Sequence, residues 1–224
     1  MSELPTIQLL AIILLPLILA VTMHEAAHGW VADKLGDPTA RDAGRISLNP
    51  IPHIDLVGTL LVPIAMMLTA KLAVGVPLLF GWAKPVPVDM HKLRHPRRDM
   101  AFVAIAGPLS NLVMATLWLI LARNLDWVHG VAPEIAGAVH WMALFGVLIN
   151  LFLFAFNLLP IPPLDGGRIV TAMLPYKLAL PFSRLERWGL IIVLLLVIPL
   201  AASGYAGIII GTLQQWLVEF VALF

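Results

Sequence analysis

The stretch His24-Glu25-Ala26-Ala27-His28 contains the residues with the clearest chemical potential in the chain. It matches the pattern H-E-x-x-H, in which two helix-borne histidines bind zinc and the glutamate beside them acts as a general base. A random chain of this composition would contain about 0.005 matches to the pattern. Residues four apart on a helix share one face, so both histidines project toward a common point. The stretch therefore predicts a zinc site; the alternative is a pair of helix histidines capped by a neighbouring acid.

A catalytic zinc site needs a third protein ligand, because it typically has three such ligands and one open position. The chain contains no cysteine, which leaves histidine and carboxylate as ligands. Asp165 is the best candidate, since it follows an apolar segment among prolines and glycines that let the backbone approach another element closely. His53 and Asp55, which flank a second apolar segment, are the next candidates.

Composition places this site in a membrane protein. The chain of 224 residues is 60% hydrophobic and 12% charged, and its mean hydropathy is +0.94. Soluble domains average about 45–50% apolar and about 25% charged residues, so a soluble core could not bury this much apolar surface. Ionisable residues at membrane depth indicate a functional site. The net charge of +1 gives no indication of a nucleic-acid partner.

The apolar segments predict an all-α polytopic membrane protein with a single domain, residues 1–224, because a bilayer-spanning helix needs about 20 apolar residues. We expect five to six transmembrane or re-entrant helical segments, at residues 4–32, 56–80, 100–122, 136–159, 187–201 and 205–223. The first lacks the basic start and cleavage site of a signal peptide. Short extended or β elements are expected in the loops at 40–55 and 81–90, with Arg45–Leu48 and Val86–Val88 as candidate strands.

Basic residues predict the orientation of the chain in the membrane. Loops 33–55, 81–99 and 165–187 are rich in Lys and Arg, whereas loop 123–135 contains only Arg123. All three basic loops lie on one side if segment 56–80 is re-entrant, which fits the tendency of Lys and Arg to remain in the cytoplasm. This arrangement predicts an outside N-terminus and a zinc site close to the cytoplasmic face.

A second motif strengthens the interpretation of the first. Residues 157–168 read N-L-L-P-I-P-P-L-D-G-G-R, and residues 106–111 read A-G-P-L-S-N. Together with H-E-A-A-H in a transmembrane helix, they resemble the site-2 protease family of intramembrane zinc metalloproteases and its N-x-x-P…L-D-G signature. The resemblance spans roughly residues 20–170. The resemblance is to a compact form of the family, without room for a PDZ domain between the motifs and without a C-terminal CBS domain.

The resemblance implies a role for each matching position. One Zn²⁺ per chain would be bound by His24, His28 and Asp165. Glu25 would activate the attacking water and then transfer its proton. Asn157 would hydrogen-bond the substrate backbone or the developing oxyanion; its alternative role is a polar contact between helices.

The implied activity is that of an intramembrane endopeptidase, which cleaves peptide bonds in or near transmembrane helices of substrate proteins. A helix protects its own amides, so the substrate must unwind locally and could then pair with the candidate strands as an added strand. Arg45, Val86 and Asn111 are the expected substrate-binding residues. The expected partners are a transmembrane protein substrate, the lipid bilayer and a regulatory membrane protein, with no nucleic acid. The expected location is a prokaryotic cell membrane, with several membrane passes.

Two other functions would use the same residues. A transporter or channel for metal ions or protons could use His24, Glu25, His28 and Asp165 as a relay, although this leaves the Asn157-to-Asp165 motif unexplained. A non-catalytic scaffold could retain a zinc site, although it would have no need of Glu25, which is not expected to be a ligand.

Overall fold

A computed structural model of the chain describes residues 6–61, 83–125, 130, 132–189, 191–193, 195 and 203–222. These residues are mainly helical and include no β-strand. The α-helices are α1 (Thr6–Lys34), α2 (Thr39–Asp42), α3 (Pro96–Arg123), α4 (Pro133–Asn157), α5 (Asp165–Met173), α6 (Tyr176–Ser183) and α7 (Tyr205–Val221). Short 3₁₀ turns occur at Ile51–His53, Met90–Lys92 and Arg184–Trp188, and a π-helix at Leu56–Leu61.

Three of these helices are long and apolar enough to cross a membrane. The qualifying stretches are Ile12–Lys34 in α1, Pro96–Arg123 in α3 and Ile135–Asn157 in α4. They coincide with three of the expected segments, and the membrane class expected from composition agrees with them. Helix α7 is also apolar, but its 17 residues make it about 26 Å long, short of the roughly 30 Å hydrocarbon core.

The expectation of five to six membrane segments is not supported by the described residues. The segment expected at 56–80 begins as a π-helix, and its remainder, residues 62–80, lies outside the described part of the chain. Most of the segment expected at 187–201 also lies outside it.

The β elements expected at 40–55 and 81–90 are wrong for the residues that the structure describes. Arg45–Leu48 forms a series of bends, and Val86–Val88 is irregular backbone without a strand partner. Proline explains the failure at Val86–Val88, because Pro87 lies inside this candidate strand and has no N–H to donate to a β-ladder. Arg45 meets the other segment through its side chain, which donates to the carbonyl oxygens of Lys84 and Pro85, so no backbone ladder forms there.

Helix α3 lies at the centre of the packing, in contact with α1, α4, α5 and α7. One apolar cluster joins α3, α4 and α7 through Ala115, Leu119, Val147, Leu151, Ile210 and Leu217. Small residues let the helices approach closely, as is common in membrane proteins. A Cβ added to Gly146 of α4 would lie 2.4 Å from the ring of Trp118 on α3. The close contacts of α3 position the side chains of the site.

Candidate active site

The structure brings together the three predicted zinc ligands. The two histidines lie one turn apart on α1, and Asp165 is the first residue of α5. His24 Nε2 and His28 Nε2 are 3.0 Å apart, and they lie 3.1 and 3.3 Å respectively from Asp165 Oδ2. All three residues are buried. Within the described part of the chain, they form the group of side chains that could hold a metal ion.

The hydrogen bonds of the histidines show that this group suits a cation. His24 Nδ1 lies 2.7 Å from Asn111 Oδ1, and His28 Nδ1 lies 2.7 Å from the carbonyl oxygen of Val103. Both oxygens can only accept, so both Nδ1 atoms must donate, and a neutral imidazole then has no hydrogen on Nε2. Two nitrogen lone pairs and a carboxylate oxygen therefore converge with no hydrogen between them, which is the donor set of a metal site.

Asp165 Oδ2 provides a second test of the fit. It is buried and accepts no hydrogen bond in the described part of the chain, which is costly for a carboxylate without a bound cation. Ligand atoms about 2.0–2.1 Å from a tetrahedral zinc ion are roughly 3.3 Å apart, close to the separations here. A metal ligand must be deprotonated, so Asp165 would bind the ion as a carboxylate.

Two glycines explain how α5 reaches the site. A Cβ on Gly166 would lie 2.3 Å from the carbonyl oxygens of Leu158 and Leu159, and one on Gly167 would lie 2.4 Å from the nitrogen of Pro162. The start of α5 therefore packs directly on the turn that follows α4, at a distance that no other residue allows. This packing explains why Asp165 is followed by two glycines.

Gly107 has the equivalent role on α3. A Cβ at this position would lie 2.4 Å from His28 Nε2 and 2.6 Å from His24 Cε1. The α3 backbone therefore lies against the two imidazoles, and only a hydrogen atom fits between them. The A-G-P-L-S-N segment owes its glycine to this contact.

Glu25 lies on α1 beside the ligands, half-buried, and contacts a loop. Its Oε2 accepts a hydrogen bond of 2.8 Å from the backbone N–H of Val86. Arg45, also buried, donates from Nη2 to the carbonyl oxygens of Lys84 at 2.7 Å and Pro85 at 3.4 Å. Val86 and Arg45, which we expected to bind substrate, thus contact their own chain, and their role toward a substrate stays a prediction.

The two predicted asparagines occupy different surroundings. Asn111 is fully buried behind His24 and bonds to it, so its expected substrate contact stays a prediction without exposed surface to support it. Asn157 is half-buried at the end of α4, and its Nδ2 donates to the carbonyl oxygen of Leu153 at 3.0 Å. This i→i−4 bond leaves the Oδ1 acceptor of Asn157 free of any hydrogen bond among the described residues.

The next candidates for the third ligand lie apart from the metal group. His53 is buried, and its Nε2 lies 3.2 Å from the carbonyl oxygen of Ser47. Asp55 Oδ1 accepts a hydrogen bond of 2.6 Å from the N–H of Gly58. Neither residue belongs to the group formed by the described residues, so this geometry does not support either alternative.

Sequence reasoning missed Asn150. It is fully buried on α4, and its Oδ1 accepts a hydrogen bond of 3.0 Å from Asn111 Nδ2. The available signal was an amide side chain inside a long apolar helix, where polar residues usually bond to another helix.

Comparison with known proteins now assigns the family. The model of Peptidase family M50 matches residues 124–200. The Bacillus subtilis protein named "Putative zinc metalloprotease YwhC" is 37% identical over 192 residues, which cover 85% of this chain and 81% of that protein. The chain belongs to peptidase family M50. Membership confirms the predicted site-2 protease relationship and makes the protein a metalloprotease, with zinc as its metal.

Another relative of this M50 chain covers more of it. The Mycolicibacterium smegmatis protein named "Putative zinc metalloprotease Rip2" is 29% identical over 208 residues, covering 92% of the M50 chain and 70% of that protein. The matched region includes both motifs and the intervening helix. No solved structure matches the chain.

Proposed function

We propose that this M50 protease hydrolyses peptide bonds in or near transmembrane helices of substrate proteins, with His24, His28 and Asp165 as its zinc ligands. The observation that carries the proposal is the convergence of three hydrogen-free acceptor atoms beside Glu25, between helices apolar enough to cross a membrane. A metal or proton pathway is not favoured, because the family is one of peptidases.

Zinc, when bound, would polarise the scissile carbonyl and lower the pKa of a water molecule. Glu25 is the base that takes the proton from the attacking water, and it returns that proton to the leaving amine as the C–N bond breaks. The Val86 N–H holds Oε2, so Oε1 is the oxygen left to exchange the proton. The free Oδ1 of Asn157 is an acceptor for a backbone N–H of an unwound substrate.

The loop beside Glu25 limits how a substrate could bind to it. Pro85 and Pro87 have no N–H, and the N–H of Val86 is bonded to Glu25. Residues Pro85–Pro87 can therefore offer a substrate only carbonyl oxygens, not the alternating donors and acceptors of a strand edge. We propose that an unwound substrate donates its own N–H groups to these carbonyls.

Charge supports an active site near the cytoplasmic face of a prokaryotic cell membrane. Of the 14 Lys and Arg residues, all but two lie in Lys34–Arg45, Lys84–Arg98 and Arg168–Arg187. A backbone hydrogen bond of 3.1 Å, from Arg94 N to Leu35 O, joins the first two ranges. Arg97 donates to the carbonyl oxygen of Ala172 at the end of α5, at 3.1 Å, which joins the third. One basic end of a multi-pass protein faces the cytoplasm by the positive-inside tendency.

The test compares wild type with Glu25→Gln, which keeps the side-chain shape and removes the base. Zinc content is measured for both, and both are incubated with a set of transmembrane peptides. Equal zinc, with a loss of cleavage of about 10²- to 10⁴-fold in the variant, is the expected result. Glu219→Gln on the exposed face of α7 is the matched control and should cleave normally. Cleavage by Glu25→Gln at the wild-type rate would refute the role of Glu25; metal flux in liposomes without cleavage would favour a transporter.

A further inference from the structure

Two fully buried amide side chains lie behind the metal group, between helices α1, α3 and α4. Asn111 and Asn150 both have 0% of their surface exposed. An amide costs free energy when it leaves water unless its polar atoms find partners, and these two find all of theirs in one continuous chain of hydrogen bonds. This series of hydrogen bonds ends at His24, and the order of donors and acceptors along it determines its effect on the His24 imidazole.

Two backbone carbonyls fix that direction. Asn150 Nδ2 donates to the carbonyl oxygen of Gly146 at 2.8 Å, so the Oδ1 atom of Asn150 faces Asn111. Asn111 Nδ2 donates to this Oδ1 at 3.0 Å and to the carbonyl oxygen of Ala20 at 3.2 Å. A carbonyl can only accept, so neither amide can be turned around without placing two acceptors in contact. Oδ1 of Asn111 must then face His24.

The last hydrogen bond of this series, at His24, decides which ring nitrogen of His24 carries the hydrogen. Oδ1 of Asn111 can only accept, so Nδ1 of His24 must donate, and Nε2 is left as a lone pair directed at Asp165 and His28. His28 reaches the same tautomer through the carbonyl oxygen of Val103, a backbone group that no substitution removes. Of the two histidines, His24 is therefore the one whose tautomer depends on side chains.

We propose that Asn150 is a positioning residue for zinc, because together with the carbonyl oxygen of Ala20 it orients Asn111 and thereby holds His24 in the tautomer that binds the metal. The proposal rests on the ligand set given above. Partners of a metal-binding histidine typically alter metal affinity about 10- to 100-fold when they are removed. Asn150 acts one bond further away, so the lower end of this range is expected.

The deciding experiment compares two substitutions of Asn150. A packing role and a positioning role predict opposite orders of zinc affinity for these two variants. Asn150→Leu fits an apolar core and removes the acceptor for Asn111. Asn150→Asp keeps that acceptor, and in its protonated form it also donates to the carbonyl oxygen of Gly146. Zinc affinity is measured by competition with a chelator, and unfolding of the metal-free protein is measured separately. We expect Asn150→Leu to weaken zinc binding about tenfold and Asn150→Asp to stay within about threefold of wild type.

Three further variants make every outcome decisive. Thr116→Val removes a similar i→i−4 side-chain bond, from Oγ1 to the carbonyl oxygen of Leu112 at 2.9 Å, and should leave zinc affinity unchanged. Asn150→Ala also lacks the acceptor and replaces Asn150→Leu if the latter does not fold. Wild-type zinc affinity in Asn150→Leu or Asn150→Ala, or a weaker affinity in Asn150→Asp than in both, overturns the proposal. His24→Ala separates this failure from an incorrect ligand set, because unchanged zinc affinity in His24→Ala would refute the ligands themselves.

Discussion

The two faces of α1 hold their functional side chains in different ways. On the metal face, His24 and His28 contact the neighbouring helix α3 through buried hydrogen bonds of 2.7 Å, and Gly107 brings that helix against their rings. On the other face, Glu25 contacts a proline-rich loop through one backbone hydrogen bond and is only half-buried. The metal ligands are thus held by packed helices, and the base is held by a loop.

The difference follows from what each group has to do. Metal ligands must keep three atoms within about 3 Å of one another, and rigid elements hold such geometry better than loops. The base must exchange a proton beside an incoming substrate, so it has to lie at an accessible edge. Substitutions on the metal face should therefore remove zinc, whereas substitutions on the loop face should slow cleavage and leave zinc in place.

The largest effect is expected for Gly107→Ala. The new methyl group would occupy space 2.4 Å from His28 Nε2, so the ligands must move or α3 must shift. Zinc affinity, measured by chelator competition, should fall by more than about 100-fold, beyond the usual effect of a residue that only supports a ligand. Gly137→Ala on α4 is the control, because its Cβ would have no atom within 4 Å. Tight zinc binding by Gly107→Ala would show that the metal face is not rigid.

Val86→Pro should give the next largest effect, on cleavage alone. Proline removes the N–H that binds Glu25 and keeps the backbone extended between Pro85 and Pro87. A hydrogen bond to a charged group contributes about 1.5–3 kcal/mol, so kcat/KM should fall roughly 10- to 100-fold while zinc content stays constant. Val86→Ala retains the N–H and should cleave much faster than Val86→Pro. Equal rates for the two variants would mean that the hydrogen bond does not position Glu25.

Arg45→Met should reduce kcat/KM less than Val86→Pro does. Arg45 binds the same loop just before Val86 in the sequence, by donating hydrogen bonds to the carbonyl oxygens of Lys84 and Pro85. Methionine keeps much of the apolar stem but donates no hydrogen bond, and we expect a loss of about three- to tenfold, again with full zinc content. A loss of zinc in this variant would contradict the separation between the two faces.

The smallest effect is a pH-dependent change in stability at Asp37, which anchors the far end of the loop. Burial would raise the pKa of Asp37, but hydrogen bonds from Thr39 and from the N–H of Asp89 outweigh it and lower the pKa. The unfolded chain then binds the proton more readily than the folded one, so this stabilisation is complete above about pH 4 and is lost as the pH falls further. Asp37→Asn should lower the Tm more at pH 7 than near pH 3.

Exposed Asp42 is the matched control for that comparison. Asp42→Asn should leave the Tm nearly unchanged at both pH values, because surface ion pairs contribute little. A Tm difference between wild type and Asp37→Asn that is the same at pH 3 and pH 7 would contradict an ionised anchor.

The contrast between the two faces also explains what could be predicted from sequence. The metal face follows from local rules: helical spacing pairs His24 with His28, and the turn residues after α4 mark Asp165. The loop face depends on contacts between distant residues, such as Val86 with Glu25, which no periodicity reveals. The strand expected at Val86–Val88 failed because an extended backbone can pair as a strand only through free N–H groups, and Pro87 has none. Asn150 was missed because a single amide in an apolar helix does not indicate its partner.

One backbone hydrogen bond has a consequence for how such chains can vary in length. Lys84 N donates to His53 O at 2.9 Å, so the two ends of the intervening sequence are already closed on each other. When the ends of a loop are fixed together, each doubling of its length costs only about 0.6 kcal/mol. As long as this closure is kept, a longer or shorter connection between His53 and Lys84 should therefore change the free energy of folding by only a small amount.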